Sequence, residues 1–436
     1  MTAVMSNSSG RGILPPPDAV VTWMKAADTA AILIAAALPW STTLVAVFVV
    51  AWLIALAPTI KVHDFMDLFR RPACLLPVVF FVLAVLGLLW SEAPWHDRLY
   101  GIGPMAKLLA IPLLIYHFQR SARGMWIFAA FLASCTILMC MSWLVAFDPR
   151  WALKKDAEYG VPVKNYIDQS QEFALCAVAL AWPILKTIRT RHYGPAVAYV
   201  VLAAAFLVNM MYVTVSRTTL VAMPVMLVAF AAFHLRRRGT VTAVVVLALA
   251  VGALWFVAPN LRMRTQAAIS EYQQYHDANA ASSVGLRLEF WRKSLRFLAE
   301  EPVLGHGTGS IRTMFARSAK GQTGASAEII NNPHNQTLNV AVQWGIVGVV
   351  ILYAMWIAHL LLFRGGHGLP VWVGLLVVVQ NVVSSLFNSH LADFNEGWMY
   401  VLGVGIAGGI VLRGSGTSKA EADVPGRAKG IPAQDG

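Results

Sequence analysis

The sequence predicts an all-α integral membrane protein with about 12 transmembrane helices and one long loop outside the bilayer. Of its 436 residues, 58% are hydrophobic and only 13% are charged, whereas soluble domains average about 25% charged residues. The mean hydropathy is +0.61. Apolar runs of about 20 residues, long enough to cross the hydrocarbon core of a bilayer, recur along the chain.

Twelve apolar runs are candidate spans. They lie at 24–40, 41–58, 74–90, 104–118, 124–147, 168–186, 195–214, 218–235, 240–258, 337–363, 370–388 and 397–413. Only Pro39-Trp40-Ser41 separates the first two, so a tight hairpin must join them. The fourth run is short and carries Lys107, whose charge is costly in hydrocarbon.

The net charge of +12 does not indicate a nucleic-acid partner. Lysine and arginine concentrate in alternate short loops, at 61–71, 120–123, 186–191 and 236–238, where the positive-inside rule requires them. Both termini fall on this same side. We therefore predict a multi-pass protein with both ends in the cytoplasm.

The resulting organisation has five parts. They are a cytoplasmic N-terminal segment (1–23), helices 1–9 (24–258), a long outer loop (259–336), helices 10–12 (337–413) and a disordered cytoplasmic tail (414–436). The tail is assigned from its richness in Gly, Ala, Lys and Asp.

The outer loop, 259–336, is too long to be a simple connector. Within it, the stretch RLEFWRKSLRFLAE at 287–300 has amphipathic helical periodicity, and a second helix is expected at 262–276. The apolar stripe comprises Leu288, Trp291, Leu295 and Leu298. The charged face comprises Glu289, Arg292, Lys293, Arg296 and Glu300. Such a helix suits the membrane surface or a cap on the bundle.

Two arginines are candidate functional residues. Arg217, in TVSRTTL, lies between two spans that almost no loop separates, and a charge at that depth needs either a partner or a functional reason. Arg287 precedes Trp291 by one turn and borders the apolar stripe. The alternatives are a snorkelling anchor for Arg217 and a contact to lipid headgroups for Arg287.

His334 is the candidate base. It stands in NNPHNQTLN, immediately before the tenth span. Pro333 keeps the preceding chain from being helical, and Asn335 can cap the span. An imidazole just outside a helix N-terminus can accept a proton near neutral pH. A purely structural histidine is the alternative.

Asp393 and Glu396 occupy the last outer loop, in SHLADFNEGW. Asp393 could orient the histidine or pair with an arginine, and for Glu396 we favour an N-cap of the final span. The glycine-rich EPVLGHGTGSI at 301–311 does not follow a buried strand, so it is interpreted as a turn and not a phosphate loop, with His306 structural. The outer side shows no acid cluster and no Cys/His metal spacing, so no metal ligands are expected.

These residues resemble the O-antigen ligase family, within the O-antigen ligase/polymerase superfamily. The resemblance is carried by the SRT step, by the loop GLRLEFW…EPVLGHGTGSI and by NNPHNQTLNVAVQWGIVG. It covers about residues 30–412, and it implies a GT-C-type glycosyltransferase architecture.

The resemblance also implies a function. Family enzymes transfer a glycan from undecaprenyl diphosphate to a sugar hydroxyl of lipid A–core at the periplasmic face of the bacterial inner membrane, without nucleotide sugar, metal or other cofactor. By position, His334 matches the catalytic histidine, Arg217 and Arg287 match the arginines that bind the donor diphosphate, and Asp393 falls where a supporting acid is expected. Membrane lipids are the remaining expected partners.

Other functions stay open at this point. A polymerase or a protein O-oligosaccharyltransferase of the same superfamily would carry the same motifs. A transporter of lipid-linked glycans is disfavoured, because the sequence shows no internal repeat and no broken, charged membrane helix. Acceptor contacts could come from Trp95, His96 and Arg98 or from Lys155 and Lys164, although ordinary interfacial anchoring is the favoured explanation for each of them.

Overall fold

A computed structural model describes residues 17–155, 158–213, 216–257, 259–279 and 281–422. Within them the protein is all-helical, as predicted, and no strand occurs. The helices are α1 (Pro17–Ala37), α2 (Thr42–Leu56), α3 (Val62–Asp67), α4 (Pro72–Leu86), α5 (Trp95–Ala106), α6 (Ala110–Arg120), α7 (Gly124–Phe147), α8 (Tyr166–Ala179), α9 (Ala181–Arg189), α10 (Tyr193–Tyr212), α11 (Arg217–His234), α12 (Arg237–Val257), α13 (Pro259–Ala278), α14 (Ser283–Glu300), α15 (Ser310–Ala319), α16 (Gln336–Leu362), α17 (Leu369–Ser384) and α18 (Phe394–Ala422).

Eight segments in the described part of the chain are long and apolar enough to cross a membrane. They are Asp18–Ala37, Thr42–Thr59, Trp95–Arg120, Gly124–Phe147, Tyr166–Arg189, Tyr193–Tyr212, Gln336–Leu362 and Phe394–Gly414. A ninth arises if Val62–Arg70 and Pro72–Leu86, which meet at 92°, are one broken span. The protein is therefore a multi-pass membrane protein by the length and composition of its helices.

Each of the twelve predicted spans coincides with a helix, but the count of twelve is not confirmed. The runs at 218–235 and 370–388 form the shorter apolar helices α11 and α17. The run at 240–258 forms α12, and residue 258 lies outside the described residues.

Two predicted boundaries differ from the structure. Helix α1 begins at Pro17, inside the segment 1–23 that was expected to precede the first helix. Helix α18 runs on to Ala422, so the start of the expected disordered tail is helical. The remainder of each terminal segment, 1–16 and 423–436, lies outside the described residues.

The last helix, α18, lies at the centre of the bundle, between α6 and α17. Its glycines allow the close approach to α6: a Cβ added to Gly405 would lie 2.5 Å from Cβ of Leu114. Small residues of this kind let membrane helices pack backbone against backbone. The close packing fixes where α18 begins, and the polar residues at its start belong to the site described below.

Helix α16 is broken inside its apolar span. Trp344 (φ −130°, ψ 15°) and Gly345 (φ 58°, ψ −154°) leave the helical conformation. The sequence analysis expected no broken helix that carries charge, and it did not foresee this uncharged break. The reason is that the break falls in VQWGIV, a stretch whose composition is that of an ordinary apolar helix. It carries no charged side chain, unlike the broken helices of transporters.

The glycine-rich turn 302–309 supplies hydrogen bonds at this break. The backbone N–H groups of His306 and Gly307 donate to the carbonyls of Val342 and Gln343, over 2.9 and 2.8 Å. These carbonyls would otherwise be left without partners inside a membrane helix, which is costly. The turn is therefore interpreted as a structural element that provides hydrogen-bond partners at the break in α16, and not as a phosphate loop.

Gly309 ends this turn with φ +79°, a conformation that side chains other than glycine rarely adopt. A Cβ at this position would lie 2.2 Å from the carbonyl oxygen of Asp97 in α5. The absence of a side chain thus allows the turn to contact α5 directly.

We expect Gly309→Ala to lower the unfolding free energy by about 1–3 kcal/mol more than Gly321→Ala does, because it adds a steric overlap. Gly321 is the matched control, since it has a similar φ of +71° but open space around its Cβ position, so it reports only the backbone cost of about 1 kcal/mol. Thermal unfolding of both variants in detergent measures the difference. Equal destabilisation would contradict the contact between the turn and α5.

Candidate active site

Four long helices, α8, α11, α16 and α18, begin at the same end of the bundle. The backbone N–H of Ser216, just before α11, donates to Oγ of Ser170 in α8 over 3.1 Å. Nζ of Lys164, just before α8, donates to Oδ1 of Asn395 in the first turn of α18 over 2.6 Å. Helix N-termini carry positive partial charge, so their convergence favours an anionic ligand.

His334 lies directly before α16 in a strained conformation. Its φ is +54°, one of three positive values among the described residues other than glycine. Oδ1 of Asn332 accepts from the backbone N–H of His334 over 2.9 Å and stabilises this turn. As predicted, the chain at Pro333 is not helical, and Asn335 caps α16 by accepting from the N–H of Leu338 over 3.0 Å. Strain of this kind clusters at functional sites.

A side-chain relay joins His334 to Asp393 through Asn388. Nδ1 of His334 lies 2.8 Å from Oδ1 of Asn388, and Nδ2 of Asn388 donates to Oδ2 of Asp393 over 2.9 Å. Since an amide oxygen only accepts, Nδ1 must carry the proton. In the neutral form of the ring, the lone pair is then on Nε2, the nitrogen that can act as a base. Asp393 is thus connected to the histidine through an amide that the sequence analysis did not single out, and its supporting role stays a prediction.

Phe290 of α14 covers the imidazole. Its ring is stacked on that of His334, with centroids 6.2 Å apart and planes inclined by 26°. Helix α14 also packs along α16. The amphipathic helix of the outer loop is thus one wall of the site.

The orientation of α14 is opposite to the predicted one. Glu289 and Lys293, expected on the solvated face, are buried at 1% and 4% exposure, whereas Leu295, expected in the buried stripe, is 57% exposed. Periodicity identifies two faces of a helix but not which of them contacts the protein. Here the face with Phe290 and Phe297 packs inward.

Hydrogen bonds to Glu289 explain how an acid is tolerated on this inner face. Its carboxylate accepts from Arg292 over 2.7 and 2.9 Å, from the hydroxyl of Tyr275 over 2.7 Å and from Oγ of Ser326 over 3.1 Å. Burial alone would raise the pKa of Glu289, but these donors lower it, so the carboxylate stays ionised. Nζ of Lys293 donates to the carbonyl of Ser326 over 2.6 Å. This cluster holds α14, and with it Phe290, in place.

The two predicted diphosphate-binding arginines are only partly described. Arg217 is the first residue of α11, at the end of the bundle where His334 lies, but its side chain is outside the described residues. Arg287 is half-buried on α14, three residues before Phe290. The binding of a diphosphate by this pair stays a prediction.

A second polar cluster lies beneath the relay. Nδ1 of the fully buried His390 is 3.2 Å from Oδ2 of Asp393 and 3.6 Å from Oε1 of Glu396. Nζ of Lys107 donates to the carbonyl of Ala392 over 3.0 Å and to that of Asp393. The expectations that Glu396 caps α18 and that this side lacks a cluster of acids were therefore wrong. The charge of Lys107, unexplained in the sequence, fixes the loop that carries Asp393.

His390, Asp393 and Glu396 could also ligate a cation, because one donor atom of each lies within 4.8 Å of the others. Two observations fit an ion pair better. Burial alone would lower the pKa of His390, but the carboxylates of Glu396 and Asp393 raise it to about 10, so the imidazole is protonated and not a ligand at neutral pH. The ammonium of Lys107 also lies beside the same loop.

A cavity of about 320 Å³ opens beside the relay. We call it the α8–α18 cavity, lined by Lys164, Asp168, Asn388 and Asp393. Sequence reasoning missed Asn388, His390, Lys164 and Lys107 as parts of one site, because only the fold brings these segments together. The polar run NSHLADFNE at 388–396 is the signal that could have indicated the loop.

Comparison with known proteins agrees with the sequence motifs. The family model described as O-antigen ligase matches residues 173–353, which include α11, α14 and His334 but end before Asn388 and Asp393. No curated protein matches the chain. The match supports the O-antigen ligase/polymerase superfamily, with glycosyl transfer as its general chemistry.

We expect the ion pair of His390 to make stability depend on pH. The pKa of His390 is about 10 in the folded protein and about 6.5 in an unfolded chain. The pair therefore contributes fully below about pH 6.5, and its contribution is lost as the pH rises through about 10.

His390→Gln should thus destabilise the protein by about 3 kcal/mol at pH 6, because it leaves the buried carboxylate of Glu396 without its charged partner. The difference from the wild-type protein should shrink towards pH 10. Thermal unfolding in detergent between pH 6 and 10 measures this, with His276→Gln, an exposed histidine of α13, as the control. A difference that does not change with pH would contradict a charged His390.

Proposed function

We propose, from the match of residues 173–353 to the O-antigen ligase family, that the protein transfers a glycan from undecaprenyl diphosphate to a sugar hydroxyl of lipid A–core. The observation that carries the proposal is the relay His334–Asn388–Asp393 at the N-terminus of a membrane helix. It holds Nδ1 of the imidazole and leaves Nε2 for the acceptor, at the level where two lipid-anchored substrates can meet.

His334 is the general base in this proposal. Nε2 takes the proton of the acceptor hydroxyl while the hydroxyl oxygen attacks C1 of the donor sugar. The bond between C1 and the diphosphate oxygen breaks in the same step, so the anomeric centre is inverted. Asp393 stabilises the imidazolium that forms, through the Asn388 amide.

The leaving group is a diphosphate that retains the bonding electron pair. Arg217 and Arg287 bind it in the proposal, because guanidinium groups match phosphate oxygens in charge and geometry. The N-termini of α11 and α8 add positive potential at the same end of the bundle. Charge stabilisation of this kind is usually the largest catalytic contribution, and the proposal requires neither a metal nor another cofactor.

The proposed location follows from the substrates. Both are lipid-anchored, and the site lies on the side opposite the basic short loops. We therefore place it at the periplasmic face of the bacterial inner membrane, in a GT-C-type bundle of about 12 spans with both termini in the cytoplasm. The loop 259–336, with α13, α14 and α15, is periplasmic in this arrangement.

The test is transfer by the purified protein in detergent with EDTA present. The substrates are an undecaprenyl-diphosphate oligosaccharide and lipid A–core. We expect glycan on the lipid A–core, and a rate lower by about 10²–10⁴-fold in His334→Ala, since a positioned general base contributes that much. His276→Ala, an exposed histidine of the same outer loop, is the matched control.

Other outcomes would replace the proposal. Glycan that grows only on the undecaprenyl carrier would identify a polymerase, and glycan on a protein hydroxyl would identify a protein O-oligosaccharyltransferase. Full activity of His334→Ala at normal expression would remove His334 as the base.

The relay yields a separate prediction. We expect Asn388→Ala to lower kcat by about 10–100-fold with little change in the KM of either substrate, because an orienting partner acts through the group it holds. The double variant Asn388→Ala, His334→Ala should be no slower than His334→Ala alone. Additive losses would show that Asn388 acts independently of His334.

A further inference from the structure

A second cavity, of about 350 Å³, lies on the other side of Asp393. We call it the α5–α16 cavity, lined among others by Tyr100, Arg312, Asn332, Asn339, Gln343 and Asp393. Its volume is in the range of pockets that hold small ligands.

The lining of the α5–α16 cavity is mixed in hydrogen-bonding character. Asn339 and Gln343 line its buried end, where Nε2 of Gln343 donates to Oδ1 of Asn339 over 2.9 Å, and Arg312 and Tyr100 are exposed at its rim. A sugar ring suits such a lining, because each hydroxyl both donates and accepts and the ring carbons can stack on an aromatic face. A lipid chain would instead require apolar walls, like those of a separate cavity of about 270 Å³ between α7, α8 and α18.

The α5–α16 cavity adjoins the residues that hold the base. Asn332 lines it and accepts from the backbone N–H of His334 over 2.9 Å. Asp393 also lines it and accepts from Asn388, the partner of the imidazole. A sugar in this cavity is therefore within reach of the relay.

The α8–α18 cavity lies towards the donor arginine. It is lined by Asp168 in the first turn of α8, and α8 contacts Ser216, next to Arg217, through Ser170. Asp393 lines both cavities. An inverting displacement needs the nucleophile and the leaving group on opposite sides of C1, so the cavity away from α8 suits the acceptor.

The back wall of the α5–α16 cavity is rigid. Oε1 of Gln343 accepts from the N–H of Gly309 over 2.8 Å, and a Cβ on Gly101 would lie 2.9 Å from the same nitrogen. Two of the acceptor contacts considered from the sequence are engaged elsewhere. Arg98 donates to the carbonyls of Ala93 and Leu88, and Lys164 binds Asn395 across the α8–α18 cavity.

We propose that the α5–α16 cavity is the subsite for the acceptor sugar, with Tyr100 and Arg312 as rim contacts that determine acceptor affinity. The inference rests on the proposed transferase function and adds the location of the second substrate. The sugar is the recognised group, so core oligosaccharide without its acyl chains binds here and competes with lipid A–core.

The test is a double variant, Tyr100→Ala with Arg312→Ala, in the full-length protein. Both side chains are exposed, so folding should be unaffected. We expect the KM for lipid A–core to rise by about 10-fold or more, from the loss of a charged hydrogen bond and a stacking face. The donor KM and the kcat at saturating acceptor should change less than about twofold.

The matched control is Arg317→Ala with Tyr272→Ala. Arg317 is an exposed arginine on the same helix, paired with Glu92 outside the cavity, and Tyr272 is exposed on α13. This double variant should leave the acceptor KM unchanged.

Binding of deacylated core oligosaccharide to the same proteins separates the two proposals. An unchanged acceptor KM and unchanged binding in the Tyr100/Arg312 variant, while the wild-type protein transfers glycan, would overturn the subsite and leave the transferase intact. If the wild-type protein transfers nothing, the transferase proposal falls, and weaker oligosaccharide binding by the variant still supports a sugar subsite.

Discussion

The amide of Asn388 is the contact on which the geometry of the site depends. It accepts from the ring of His334 and donates to Asp393, so a single side chain fixes both partners. An amide cannot pass a proton along this path, because it accepts at one atom and donates at another. The relay therefore sets the tautomer and charge environment of the imidazole without moving protons away from it.

Several buried groups keep the loop of Asn388 in position. Lys107 reaches it from the middle of a membrane span, and the N–H of Gln336 donates to the carbonyl of Ser385 over 2.9 Å. The break in α16 also helps to hold the site, because its backbone groups form hydrogen bonds with the turn 302–309 of the outer segment. The site is thus built on rigid elements and not on a free loop.

The sequence predicted well what depends on local pattern. The twelve apolar runs all coincide with helices, Asn335 caps α16, and His334 lies directly before this helix. Three-dimensional contacts were not predictable in the same way. Asn388 and His390 could be assigned to the site only from the fold, because α17 and α18 bring them close to the start of α16. Tertiary packing also decides that Glu289 of α14 faces inward. The break at Gly345 could not be predicted from the local sequence, because the backbone groups that form hydrogen bonds with it belong to the distant turn 302–309.

Helix α14 has one consequence for how the protein must be handled. Its inner face presents Phe290 to His334, while Leu295 on its outer face is exposed. The two faces are separated by one helix diameter, about 10 Å. Whatever contacts Leu295 therefore contacts the same helix that covers the imidazole. A change in the medium at the outer face of α14 thus lies one helix away from the candidate base.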